Sequence, residues 1–336
     1  MKNLSIIVPS YNSEAFLERC IDSLLIDDNS IEIIIVNDGS TDNTQAIAEQ
    51  YRARYPTIVK VHQQANAGHG GAINAGLELV SGRYVKIVDS DDWLDQIALK
   101  ALLKQIEHFS KTEAVDMIIA NYVYEKEGRK SKKVMRYTKS LPLNQYFGWG
   151  EFKLPMGKYL LMHSIVYRTQ MLKELNLELP KHSFYVDNIY AFVPLQAVKT
   201  MYYMDVDLYR YHIGRQEQSV NEKNMIRQID QQLFVNKVLI DEYKRIETEE
   251  INLRKYLFHY LEIITGVSSV MMIRSNTEEN LEKKTWLWNY IKESNTPLYK
   301  DLKRGLIGAV LSPDLWLNRK LTIGVYKAIQ IVYGLN

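Results

Sequence analysis

Residues 84–94 read YVKIVDSDDWL. An apolar run of strand length, Tyr84–Val88, ends abruptly in Asp89-Ser90-Asp91-Asp92. Carboxylates packed this closely cost free energy unless a metal ion, a basic side chain or solvent offsets them. The same grammar recurs upstream. LSIIVP (4–9) runs into PSYN, IEIIIV (31–36) into NDGSTD, and TIVKVH (57–62) into ANAGHGG. Between these runs lie stretches with helical spacing: SEAFLERCIDSLL, with Phe16, Leu17, Cys20 and Leu24 on one face, then QAIAEQYRARY, GHGGAINAGLELV and a helix over about 95–108. VDMIIANY (115–122) adds a further strand. Strands alternating with helices predict an α/β fold, with a mostly parallel sheet and helices on both faces. Runs that are apolar throughout, rather than alternating, suit strands buried on both sides.

Composition narrows the function classes. The chain has 336 residues, 46% of them hydrophobic, enough for a large core. With 42 basic against 40 acidic residues the net charge is +2, which gives no case for nucleic acid. Cys20 is the sole cysteine, so no intramolecular disulfide can form; a reducing compartment and a buried, unreactive thiol are expected. The opening MKNLSIIVPSYN meets proline too early for a signal-peptide core and reads as the first strand. No segment reaches about 18 uninterrupted apolar residues, so a cytoplasmic protein is expected, at most resting on a membrane surface.

In an open α/β sheet, ligands bind beyond the carboxyl ends of the strands, which selects the four polar turns. Asp89 and Asp91 are two apart, so an extended chain directs both carboxylates to one side. That pair suits a divalent cation shared with a diphosphate; alternatively, Asp91 or Asp92 caps the next helix. Asp38 could accept a hydrogen bond from a base edge such as uracil N3–H. Tyr11, at the end of the first strand, could stack on a base. GHGG (68–71) is similar to a phosphate-cradling loop but is neither G-x-G-x-x-G nor a P-loop.

Taken in order, IIVPSYN, IIIVNDGSTDNT, NAGHGGAINAGL and YVKIVDSDDWL resemble the N-terminal half of glycosyltransferase family 2, inverting nucleotide-sugar enzymes with a GT-A fold. The likeness is strong over the first 110 residues and weaker to about residue 220. It implies that Pro9, Tyr11 and Asp38 hold the uridine of a UDP-sugar. Asp89 and Asp91, flanking Ser90 at the nucleotide, would form the D-x-D element that binds Mn²⁺ or Mg²⁺, with Asp91 the direct ligand. The family commonly reads Ala-Arg-Asn where this chain has Ala72-Ile73-Asn74; His69, beside Gly68, could replace that arginine in part. An inverting transfer needs a base. HSFYVDNIYAF (182–192) resembles the family's base segment, with Val186 in place of the usual Glu and Asp187 kept as the base, which could also cap a helix. His163 and His182 lie nearby. LYRYHIGRQEQSV (208–220) resembles a late strand and loop, implying Arg215 for the leaving group and His212 as a metal or phosphate contact.

The resemblance divides the chain into a GT-A domain over 1–220, with a nucleotide-binding half (1–120) and an acceptor half (121–220), and a mainly helical region over 221–336. The basic stretch 125–139 reads as a hairpin or loop. KYLFHYLEIITGVSSVMMIR (255–274) is nearly membrane-like but carries His259 and Glu262, and reads as a buried bundle helix. In the tail, Leu317, Leu321, Val325, Ile329 and Val332 recur at three or four residues among Arg319, Lys320 and Lys327, a pattern for a bilayer interface, the core or a second subunit. The expected activity is metal-dependent transfer of a hexose or N-acetylhexosamine from UDP to a glycan or lipid-linked acceptor in surface polysaccharide synthesis, at the inner face of the cell membrane. A non-catalytic nucleotide-sugar-binding scaffold is the alternative. A nicotinamide dehydrogenase ranks third, for want of G-x-G-x-x-G after the first strand.

Overall fold

A computed structural model describes residues 2–126, 132–155, 157–214 and 221–312. The expected alternation is present. Strands β1 (Leu4–Ser10), β2 (Ile31–Asp38), β3 (Val59–Gln64) and β4 (Tyr84–Ile87) alternate with helices α1 (Leu17–Leu24), α2 (Thr44–Arg54) and α3 (Gly68–Leu79). After β4 come β5 (Trp93–Leu94), α4 (Gln96–Lys111), β6 (Met117–Lys126), β7 (Lys133–Met135) and β8 (Tyr146–Phe147). The strand β9 (Ile165–Arg168), helices α5 (Thr169–Leu175) and α6 (Val186–Phe192), and β10 (Met201–Ile213) follow.

The strands form one sheet in the order β3-β2-β1-β4-β9-β6-β10-β5, with β7 on β6 and β8 on β10. The first four are parallel, as predicted; β9 runs antiparallel to both β4 and β6. Basic stretch 125–139 contributes the antiparallel β6–β7 pairing, a hairpin whose tip lies outside the described residues. Every residue of β1 and β2 is buried because helices cover both faces. Leu4, Ile6 and Val8 join a core with residues of α1, α2 and α4. Ile7 points the other way, and α3 lies so close there that a Cβ on Gly76 would strike its side chain. Cys20 is fully buried in the first of these cores, as its helical spacing predicted. Because β1 sits between β2 and β4, successive connections diverge from it, and a crevice opens beyond the strands' carboxyl ends.

Residue contacts divide the chain after Ile213. The second unit is helical: α7 (Glu222–Arg227), α8 (Ile229–Arg245), α9 (Ile251–Ser275), α10 (Glu278–Ser294), α11 (Thr296–Arg304) and α12 (Leu306–Leu311). Helix α9 is long and apolar enough to cross a membrane, but 72% of its most apolar window is buried, and it packs on α7, α8, α10 and α12. That matches its reading as a bundle helix. The amphipathic tail over 315–336 lies outside the described residues.

Opposite the crevice, Glu32 on β2 ties four segments together. Its carboxylate accepts from Ser5 Oγ at 2.5 Å, Lys60 Nζ at 2.6 Å, and Ser81 N–H and Oγ–H at 2.6 and 2.9 Å. Burial disfavours this charge, yet the bonds from Lys60, Ser5 and Ser81 prevail and hold its pKa at about 2. A carboxyl depressed on folding stabilises the native state above its unfolded pKa of about 4.3 and loses that contribution as pH falls toward the folded value. Glu32→Gln is therefore expected to cost about 2 kcal/mol near pH 7, and urea unfolding should show the loss shrinking between about pH 4.3 and pH 2. A cost that is constant across that range would contradict the assignment.

Candidate active site

The turn after β4 is built from inside the protein. Asp92 is fully buried, with Oδ2 accepting from Tyr209 Oη–H at 2.6 Å and Oδ1 from the His212 N–H at 2.7 Å. The peptide N–H of Asp89 donates to the same tyrosine oxygen at 3.2 Å. Beyond the turn, β5 pairs antiparallel with β10, so the DSDD segment is closed at both ends. The register of β10 against β6 shifts between Met204, Asp207 and Tyr209, an irregularity of the kind that re-aims side chains beside sites. Helix α4 is capped by Asp95, which accepts from the N–H groups of Ile97 and Ala98, both at 3.1 Å. Neither Asp91 nor Asp92 caps it, which removes the capping explanation for the acidic turn.

Histidines and one lysine complete the electrostatics. Asp89 Oδ1 meets His69 Nε2 at 2.9 Å, and Oδ2 lies 3.8 Å from His163 Nε2. Burial pushes the Asp89 carboxyl up, but His163 and His69 outweigh it and hold its pKa well below the usual range. Burial and the neighbouring Asp89 charge push Asp92 up, against the bonds from Tyr209 and His212. Two close carboxylates thus divide their roles, with Asp89 carrying the charge. Burial opposes charging His69, but the bond and charge of Asp89, with the fields of Asp187 and Asp38, raise its pKa. Lys86, three residues before Asp89, is wholly buried and donates to the carbonyls of His163 at 2.9 Å and Ile165 at 3.2 Å. Its ammonium sits 5.0 Å from the Tyr209 ring centroid, and burial lowers its pKa to about 7 despite Asp89 and Asp92.

The expected residues are placed as follows. Asp38 is buried at the end of β2, its Oδ1 accepting from Gln64 Nε2 and the Ala67 N–H, both at 2.7 Å. Tyr11 is 54% exposed just beyond β1, free to stack, whereas Pro9 is buried within that strand. Ser90 is buried and shares a hydrogen bond of 2.7 Å with Ser13 Oγ. The close approach that Gly68 permits, at φ +75°, is to the backbone of His182 and not to open space for a phosphate. The Asp91 carbonyl accepts from Arg19 at 2.8 Å; that guanidinium lies over the Trp93 ring and 3.4 Å from His212 Nδ1. Asp187 lies in the first turn of α6, where burial, foremost, raises its pKa; His163, His69 and Asp89 also act on it. Arg215 lies outside the described residues.

Among the described residues, the carboxylate and imidazole atoms of Asp89, Asp92 and His163 come within 4.8 Å of one another. Two oxygens and one nitrogen are a donor set that a divalent cation accepts. In addition, His163 Nδ1 is buried without a hydrogen-bond partner. The expected set of Asp89, Asp91 and His212 shares only Asp89 with this group. His163 was visible in the sequence only as a lone histidine. Lys86 and Tyr209 gave no signal, because a lysine in an apolar strand and a tyrosine among tyrosines look like surface and core residues.

Residues 5–175 match the sequence model of the family described as glycosyl transferase family 2. Among relatives, the glycosyltransferase GlyA of Streptococcus pneumoniae is 39% identical over 35% of this chain and 16% of its own length. The poly(ribitol-phosphate) beta-glucosyltransferase of Bacillus spizizenii is 37% identical over 34% of this chain and 18% of its own length. The aligned segments therefore span less than a fifth of either relative. Residues 1–349 of S. aureus TarS, solved in complex with UDP-GlcNAc, align over 90% of both chains at a TM-score of 0.57 and 19% identity, a likeness of fold. The family match takes in β1 through β9 and the acidic turn itself, but not β10. It covers just over half of the 336 residues, and the chain belongs to glycosyl transferase family 2.

Proposed function

We propose that the protein is a metal-dependent, inverting glycosyltransferase that moves a hexose or N-acetylhexosamine from UDP to a glycan or lipid-linked acceptor. One observation carries this reading: His69 meets Asp89 at 2.9 Å and also lies in the field of Asp187, nearly a hundred residues further along the chain. The family membership and the fold shared with a UDP-GlcNAc complex support the donor class. The relative named for poly(ribitol-phosphate) supports a surface polymer as acceptor. A nucleotide-sugar donor and a single reduced cysteine fit the cytoplasm, at the inner face of the membrane. Dimerisation and membrane contact through residues 315–336 remain part of this proposal.

In this reading Tyr11 stacks on uracil, and Asp38, whose Oδ2 makes no hydrogen bond among the described residues, accepts from the base edge. Asp89 and Asp91 would hold the cation. Asp92, with both oxygens engaged by Tyr209 and His212, anchors the turn. When bound, the cation supplies Lewis-acid stabilisation of the leaving diphosphate. Asp187 takes the proton of the acceptor hydroxyl as its oxygen bonds to the anomeric carbon; the bond from that carbon to the phosphate oxygen breaks, and UDP leaves with the electron pair. Attack opposite the leaving group inverts the anomeric centre. Burial makes Asp187 a stronger base than an exposed carboxylate would be.

Purified protein incubated with Mn²⁺ and UDP-glucose, UDP-galactose, UDP-GlcNAc or UDP-GalNAc should release UDP from one of them, and EDTA should abolish the release. UDP binding without turnover, across a broad set of acceptors, would favour the scaffold alternative. Asp187→Asn should lower kcat by about 10²–10⁴-fold and leave UDP affinity unchanged. The rise of wild-type kcat with pH should have its midpoint above the ordinary aspartate value, since the base works only when deprotonated. Calorimetric Mn²⁺ titration should show binding lost in Asp91→Asn with the melting temperature kept. Asp92→Asn should instead lower the melting temperature, and the reverse pattern would move the cation to the Asp89–Asp92–His163 group.

A further inference from the structure

The glycine-rich start of α3 faces protein rather than an open cradle. Its neighbour is the chain from Leu179 to Asp187. Asn74 grips that chain by its backbone, donating from Nδ2 to the Leu179 carbonyl at 2.8 Å and accepting at Oδ1 from the Leu179 N–H at 2.9 Å. Three residues on, the His182 N–H donates to the Ala67 carbonyl at 2.8 Å. Between these points a Cβ on Gly70 would strike the Pro180 carbonyl oxygen, and one on Gly68 would lie 2.7 Å from His182 N. The held chain is not relaxed: His182 and Tyr185 both take left-handed conformations, at φ 50° and 63°. Such a backbone persists only where surrounding contacts over-determine it. Tyr185 immediately precedes α6, so the clamp ends where the helix carrying Asp187 begins.

We propose that Asn74 and Gly70 are positioning residues that set the register of the 179–187 segment and thereby place Asp187 against Asp89 and His69. Neither residue touches the reacting atoms. Asn74 acts through two bonds to the backbone of one residue, one donated by its amide nitrogen and one accepted by its amide oxygen. Gly70 acts by leaving room for the Pro180 carbonyl. His69, between the glycines, meets Asp89 while its flanks hold the Asp187 segment, so a single turn of helix serves both carboxylates. The inference rests on Asp187 acting as the base, because displacing a base by about 1 Å can cost about 100-fold in rate.

The test compares Asn74→Ala, Asn74→Asp and Gly70→Ala with the wild-type chain. Three readouts are used: amide hydrogen exchange, calorimetric affinity for UDP, and UDP release from whichever of the four UDP-sugars turns over. Asn74→Ala and Gly70→Ala should accelerate exchange at Leu179 and His182, lower kcat 10- to 100-fold, and leave the UDP dissociation constant within twofold. Asn74→Asp keeps only the accepting half and should fall between Asn74→Ala and wild type. A purely structural role would lower the melting temperature and UDP affinity together. Unchanged exchange at Leu179 and His182, or kcat within twofold of wild type, overturns the proposal. Failure of the base assignment is read separately, as full turnover by Asp187→Asn in the otherwise native chain.

Discussion

The ammonium group of Lys86 is the constraint on which the acidic turn depends. It is buried within the sheet and, among the described residues, has no carboxylate in direct contact. It is solvated instead by the carbonyls of His163 and Ile165 and by the face of Tyr209. Two of those partners, His163 and Tyr209, also reach the turn. The turn containing His163 brings an imidazole toward Asp89, and the Tyr209 hydroxyl binds both the Asp92 carboxylate and the Asp89 peptide. Burying a cation is costly unless its hydrogen bonds are met. Here they are met by backbone that also fixes the neighbouring carboxylates, so charge and geometry are set together.

Around that centre the two halves of the α/β unit have different work. The parallel strands β1 to β4 deliver their turns to one edge because every connection returns through a helix. The turn before β9 and the strand β10 arrive from 74 to 120 residues away and supply what those turns lack: His163 beside Asp89, and the Tyr209 and His212 contacts to Asp92. The carboxylates consequently do not share one protonation behaviour. Asp89, between two histidines, is held ionised, whereas Asp92 and Asp187, in drier surroundings, are pushed toward the neutral form. The raised pKa of Asp187 beside an anchored anionic turn is what the proposed proton removal would use.

The glycine-rich turn shows how a motif can serve a different surface from the one its composition suggests. Gly68 at positive φ and Gly70 beside Pro180 allow close approach, as glycine does at a phosphate. What approaches is the backbone of the Asp187 segment. The same packing accommodates Ile73, which is fully buried where the resemblance implies an arginine. At this position the helix buries an apolar side chain instead of carrying a charge.

The fold was legible because burial on both faces forces β1 and β2 to be continuously apolar, and helical spacing marks α1 through α4 between the strands. The acidic turn, Asp38 and the exposed Tyr11 stood out as candidates for a related reason, since they are polar residues placed where buried strands end. Position along one strand also linked Asp89 to its turn. Only the tertiary structure decided the partners. Lys86 and Tyr209 matter through contacts 77 to 123 residues distant in sequence, and nothing local distinguishes them from other strand residues. Whether a glycine's open side meets a ligand or another segment depends likewise on which chain packs there. Periodicity records which face of an element is buried. It does not record what lies against that face.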